Sequence, residues 1–191
     1  MPRVVVLAGI NGAGKTTAAP RLLADVLHIP TFVNADAIAR GLNGLHPAAE
    51  AFRAGRIMLD QLNDLARRRE DFAFETTLSA RTYAPCLAAL RPTGYDVVLY
   101  YYWLRSPELA IARVAQRVRS GGHFVPDVDI RRRYARSVRN FLELYRPIAD
   151  WWEVMDNTDG DRVLLAAGSF DEFAAETPES WEAFVRSADA D

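Results

Sequence analysis

Apolar positions along this chain fall into two rhythms that alternate from one end to the other. Residues 4–8, VVVLA, are an unbroken and largely β-branched run, which predicts a central strand buried on both faces. A glycine loop follows, then a helical stretch to about residue 27, with Pro20 inside it expected to kink the helix. Residues 31–34 predict a second short strand ending in NADAIAR. Residues 48–69 repeat at helical spacing through Phe52, Ile57, Leu59, Leu62 and Leu65. FAFETT (72–77) predicts a third strand, residues 83–90 a short helix, and YDVVLYYYWL (95–104) the longest strand, bounded by Gly94 and a Ser-Pro pair. Helices are expected at about 107–120 and 128–145, either side of GGHFVP. WWEVMDN (151–157) reads as a fifth strand and DRVLLAAG (161–168) as a further short one at an edge. The acidic stretch of about 170–191 reads as a helix or two on the rim.

Strands alternating with helices imply βαβ units. The expected fold is α/β, of the P-loop NTPase and nucleotide-kinase kind, with a mostly parallel central sheet flanked by helices and an Arg-rich helical lid. A length of 191 residues fits one domain, 1–191, with the lid at about 105–139. A net charge of -2 supplies no basic field, so nucleic acid is an unlikely partner. The single cysteine, Cys86, excludes an internal disulfide framework and fits a reducing compartment. The opening apolar run is too short for a signal peptide, and nothing approaches a bilayer span of roughly 20 apolar residues. These points lead to the expectation of a cytoplasmic domain with no membrane partner.

The chemistry begins at GINGAGKT (9–16), a full match to G-x-x-x-x-G-K-[ST] lying between a strand and a helix. Such a loop turns successive backbone N–H groups of Asn11, Gly12, Ala13, Gly14, Lys15, Thr16 and Thr17 towards an anion. Lys15 reaches the β- and γ-phosphates of ATP and the Thr16 hydroxyl faces Mg²⁺. Lys15 is also the one lysine among 23 basic residues, the other 22 being arginines. A compact ammonium on a slim stem enters a tight loop where the broad guanidinium fork does not. This is a nucleotide-binding loop.

The NKxD motif of Ras-type GTPases and the LSGGQ signature of ABC-type ATPases are both absent, and no carboxylate ends the 95–104 run. What remains is a small-molecule kinase pattern. Residues 105–139 carry nine arginines against three acids, Glu108, Asp127 and Asp129. Arg113 and Arg117, four apart, share a helix face and could stabilise a transferring phosphoryl group. Asp36 follows the second strand, where it could act as general base or simply cap the next helix. Glu75 ends the third strand, at the edge where open α/β sheets bind ligands.

In that order, GINGAGKTT, NADAIAR, FAFETTLS and RVRSGGHFVP…IRRRYARSVRNF resemble the zeta-toxin-like family of P-loop kinases, over about residues 4–158. The family's best-known members are toxins that phosphorylate the 3′-hydroxyl of the amino sugar in UDP-N-acetylglucosamine. The resemblance implies that Asp36 is the base and that Glu75 binds the acceptor, with Asn34 and Thr76 as further candidate substrate-binding residues. Arg113 is then the first lid arginine, with Arg117 as the competing choice. The family's toxins place a second arginine shortly before a lid proline. His123 stands there in this chain, and Arg132 or Arg133 would supply the charge instead. Asn157, in DNT, lies where related kinases hold adenine, and a toxin would travel with an antitoxin-like protein. Trp151, Trp152 and the Tyr100–Tyr102 run read as core. Two other functions stay open: a nucleotide-gated ATPase or switch that binds a protein partner, and a polynucleotide or nucleoside kinase.

Overall fold

The computed structural model describes residues 1–122 and 124–189. Seven strands form one sheet: β1 (Arg3–Ala8), β2 (Thr31–Val33), β3 (Phe72–Thr76), β4 (Asp96–Trp103), β5 (Trp151–Asp156), β6 (Val163–Gly168) and β7 (Phe173–Ala175). Their order is β2-β3-β1-β4-β5-β6-β7, the first five parallel and the last two antiparallel. The helices are α1 (Lys15–Pro20), α2 (Ala35–Leu42), α3 (Ala51–Arg67), α4 (Tyr83–Leu90), α5 (Pro107–Arg119), α6 (Asp127–Asn140) and α7 (Pro178–Arg186). No helix among the described residues is long and apolar enough to cross a membrane.

Residues 4–8 are almost fully buried because β1 lies mid-sheet with helices on both faces. Val4, Val6 and Ala8 enter one core with Val97, Leu99, Tyr101 and Trp103 of β4, while Val5 and Leu7 enter the other with Tyr100 and Tyr102. That is the period-2 alternation of a strand read on both faces at once. The parallel register sets Leu7 opposite Glu75 and Ala8 opposite Thr76, so β1 and β3 end side by side. The phosphate loop and Glu75 therefore emerge at the same edge.

Three features depart from the sequence reading. The 161–168 strand is not at the edge, because Phe173–Ala175 pairs with it as a seventh strand within the acidic segment expected to be only helical. Three residues without clear alternation carry too little pattern to announce an edge strand. Trp152 is core but Trp151 is 43% exposed, since neighbouring residues of a strand point to opposite faces. After Pro20, α1 widens into a π-helical segment, Arg21–Val26. The N–H that proline lacks ends the ordinary helical ladder, and where a kink was expected the chain changes its winding.

Candidate active site

Backbone geometry at the phosphate loop demands glycine, most tightly at Gly9 and Gly14. Gly9 has φ 128°, and a Cβ there would stand 2.1 Å from the Tyr102 carbonyl oxygen, so β4 closes directly against the loop. Gly14, at φ 88°, would press a Cβ to within 2.5 Å of the Asn157 side-chain nitrogen. Both lie in the left-handed region that side chains avoid.

Lys15 is 4% exposed and its ammonium donates to the carbonyls of Gly9 (2.7 Å) and Ile10 (2.9 Å). Its Nζ also stands 3.6 Å from Glu75 Oε1. Burial holds its pKa below the ordinary lysine value; the Glu75 and Asp36 carboxylates pull the other way, and Arg117 adds to the lowering. Glu75 is the hub of the site. Its Oε2 accepts from the Thr16 hydroxyl (2.8 Å) and from the Asn34 amide (2.8 Å). Asn34 in turn accepts from Ala37 N–H with its own side-chain oxygen, so it caps α2. With Asn34 as the cap, Asp36 lies in the first turn of α2, and its carboxylate has no hydrogen bond or ion pair among the described residues.

Two clefts meet here. The first, of about 300 Å³, runs over the phosphate loop and is walled by Thr16, Thr17, Arg40, Arg113 and Arg117. The second, of about 330 Å³, is lined by Thr76, Thr77, Ser79, Tyr83 and Arg133. Asn11, Lys15, Asn34, Asp36 and Glu75 line both. Two carboxylates, Asp36 and Glu75, thus stand at the junction of the two clefts.

Two sequence expectations change here. Arg132 bonds to Asp129 on its own helix and lines neither cleft, whereas Arg133 lines the second cleft and reaches Asn11 Oδ1 (3.4 Å). Asn157, expected at the adenine, is 8% exposed and donates its amide to the Ala13 carbonyl (2.8 Å), so it braces the loop from below. Among the described residues its Oδ1 finds no partner. Arg113 lines the first cleft while donating to the Thr158 carbonyl (2.8 Å). The expectation for His123 lies outside the described residues.

The sequence reading missed Arg40, four residues after Asp36 on α2, and the support of the loop 76–80. Leu78 is fully buried at φ 55°, an uncommon conformation for leucine. The loop is held there from α6 and the π-helical turn Phe141–Tyr145 that follows it. Tyr101 donates to Ser137 Oγ (2.6 Å), which donates to the Thr77 carbonyl; Asn140 donates to the Leu78 carbonyl (2.7 Å) and Tyr145 to that of Ala80 (2.7 Å). Arg133, Ser137 and Asn140, at i, i+4 and i+7, make one stripe of α6, and that spacing was the available signal.

As to metal, no group of three or more His, Cys, Asp or Glu side chains that could cage an ion occurs among the described residues. Thr16 Oγ1 and the Glu75 carboxylate do offer hard oxygen donors side by side, with Asp36 lining the same cleft. Mg²⁺ suits such a site, because it keeps several waters and relies on one or two protein oxygens plus phosphates.

Several known proteins resemble this chain. An uncharacterised protein of Haemophilus influenzae is 28% identical over 132 residues, spanning 69% of this chain and 92% of its own length. In fold, the chain is similar to the AvrRxo1-ORF1:-ORF2 complex with ATP, at TM-score 0.77 and 18% identity over 97% of this chain. It spans only 64% of that protein's length. It is also similar to the PezAT chromosomal toxin–antitoxin system of Streptococcus pneumoniae, at TM-score 0.62 and 18% identity, covering 99% of this chain and 86% of the other. The model of one family, AAA domain (AAA_33), matches residues 4–138. With its phosphate loop, its parallel sheet and that match across most of its length, the chain belongs to the AAA_33 family of AAA domains and has a P-loop kinase-like fold.

Proposed function

We propose that this protein is an ATP- and Mg²⁺-dependent kinase that transfers the γ-phosphate to a hydroxyl of a small molecule. The observation that carries the reading is that Asp36, Lys15 and Glu75 line both clefts, so a donor in one and an acceptor in the other would meet at a carboxylate. Asp36 takes the proton of the acceptor hydroxyl. The acceptor oxygen forms its bond to the γ-phosphorus as the bond to the β,γ-bridging oxygen breaks, and ADP leaves. Lys15, Arg113 and Arg117 stabilise charge on the transferring group. Thr16 and Glu75 would hold Mg²⁺. When bound, the ion neutralises charge on the β- and γ-phosphates.

The hydroxyls of Thr76, Thr77 and Ser79 suit a polyhydroxylated acceptor, and Arg133 in the same cleft suits one that carries an anion. A UDP-amino sugar such as UDP-N-acetylglucosamine, or a related nucleotide, has both features. The toxin–antitoxin origin of the PezAT relative supports an antitoxin-like protein as partner.

The test is transfer of label from [γ-³²P]ATP to a panel of UDP-sugars, nucleosides, dinucleotide cofactors and small alcohols, with Lys15→Ala as control. Label on an organic acceptor that vanishes in the control is the expected result. Free phosphate alone, with every acceptor inert, would transfer the case to a nucleotide-gated ATPase.

A further inference from the structure

The α2 helix turns two charged side chains towards the first cleft, and the reading above uses one of them. Ala35 and Ile38 of this helix pack on the core and Ala39 is buried. Asp36 and Arg40, four residues apart and hence about 5–6 Å from each other at Cβ, line the cleft together. Had Arg40 served to neutralise Asp36, an ion pair would join them, yet the Arg40 guanidinium makes no hydrogen bond or ion pair among the described residues. The other cations facing the cleft also have protein partners, Lys15 two carbonyls and Glu75, Arg113 the Thr158 carbonyl, and Arg117 interactions of its own, so Arg40 differs from them in having none among the described residues. Arg40 lines the phosphate cleft and not the acceptor cleft. Arg40 comes from α2, a different element from α5, which carries Arg113 and Arg117.

We propose that Arg40 grips the terminal phosphoryl group of the donor from α2, and so distinguishes a nucleoside triphosphate from a diphosphate. This rests on the kinase reading. The P-loop backbone and Lys15 serve both nucleotides, whereas a guanidinium beside Asp36 stands where only the group about to be transferred would lie. Such a contact is a charge-assisted and potentially bidentate pair.

The experiment is calorimetric titration of the unaltered chain, Arg40→Ala and Arg40→Lys with Mg²⁺-ADP and with the Mg²⁺ complex of non-hydrolysable β,γ-imido-ATP. Arg40 is exposed, so the variants should fold, and thermal melts check this. The expected result for Arg40→Ala is roughly tenfold weaker binding of imido-ATP, about 1.4 kcal/mol, with ADP affinity held within about twofold. Arg40→Lys should recover part of the difference, keeping the charge without the fork. Equal weakening of both nucleotides, or no weakening of either, overturns the assignment while the unaltered chain still binds ATP. Failure of the unaltered chain to bind either nucleotide overturns the kinase reading, and this one with it.

Discussion

Replacing Glu75 with Gln tests the electrostatic logic of the whole site. The change keeps the volume and removes one charge, while the amide oxygen, set where Oε2 stands, can still accept from both Thr16 and Asn34. The amide –NH2 then takes the place of Oε1 and sets a donor against the Lys15 ammonium. The Lys15 ammonium also loses a carboxylate at 3.6 Å, an attraction of about 5 kcal/mol at an effective dielectric of about 20. Two effects offset that loss: the desolvation of Glu75 is relieved, and Lys15 keeps the Gly9 and Ile10 carbonyls. The expected net deficit is about 2–4 kcal/mol at pH 7, measured by urea unfolding followed through tryptophan fluorescence.

The pH dependence sharpens the test. The folded pKa of Lys15 lies below 10.5, so between that folded value and 10.5 the unfolded chain binds more protons and stability rises with pH. Glu75 is the strongest influence raising that pKa. Without it the folded value falls further and the window opens at lower pH. The variant should therefore gain on the parent as pH climbs, and the deficit at about pH 9.5 should be smaller than at pH 7. A deficit under about 0.5 kcal/mol at pH 7, or one that stays flat or widens by pH 9.5, would refute the reasoning.

Other substitutions probe separate parts. Asp36→Asn should lower the transfer rate by about 10²–10⁴-fold while leaving Mg²⁺-ATP affinity unchanged, so calorimetry and label transfer must part company. Gly9→Ala sets a Cβ against backbone that cannot swing away, and a stability loss above about 2 kcal/mol, with loss of nucleotide binding, is expected in melts and titrations. Asn140→Ala orphans the buried Leu78 carbonyl and should cost about 1–3 kcal/mol in urea unfolding. Faster amide exchange across residues 76–80 should accompany it, and unchanged exchange there would argue against the clamp.

The central strands were legible because a buried parallel strand has to be apolar throughout, and residues 4–8 and 97–104 are. The phosphate loop was legible because its glycines answer to backbone geometry that no other residue tolerates. The choice between Arg132 and Arg133 was not, since neighbours on a helix point about 100° apart and only the packing of α6 fixes which one faces the cleft. Asn157 misled for a related reason: a polar residue after a strand marks the functional edge of the sheet without saying whether it serves the ligand or the loop that holds it. Ser137 and Asn140 lay hidden among arginines, and their importance comes from contacts some 60 residues away.

The solitary lysine has a practical consequence. Its ε-amine is the only side-chain primary amine in the sequence, and it lies buried within the phosphate loop. Burial favours the neutral form, which is the nucleophilic one. An acylating probe therefore meets a single side-chain target, and its rate of attachment becomes a clock for opening of the loop that nucleotide should slow. The same arithmetic cautions against coupling this protein to a surface through its amines, because the one side-chain handle lies buried in the glycine loop.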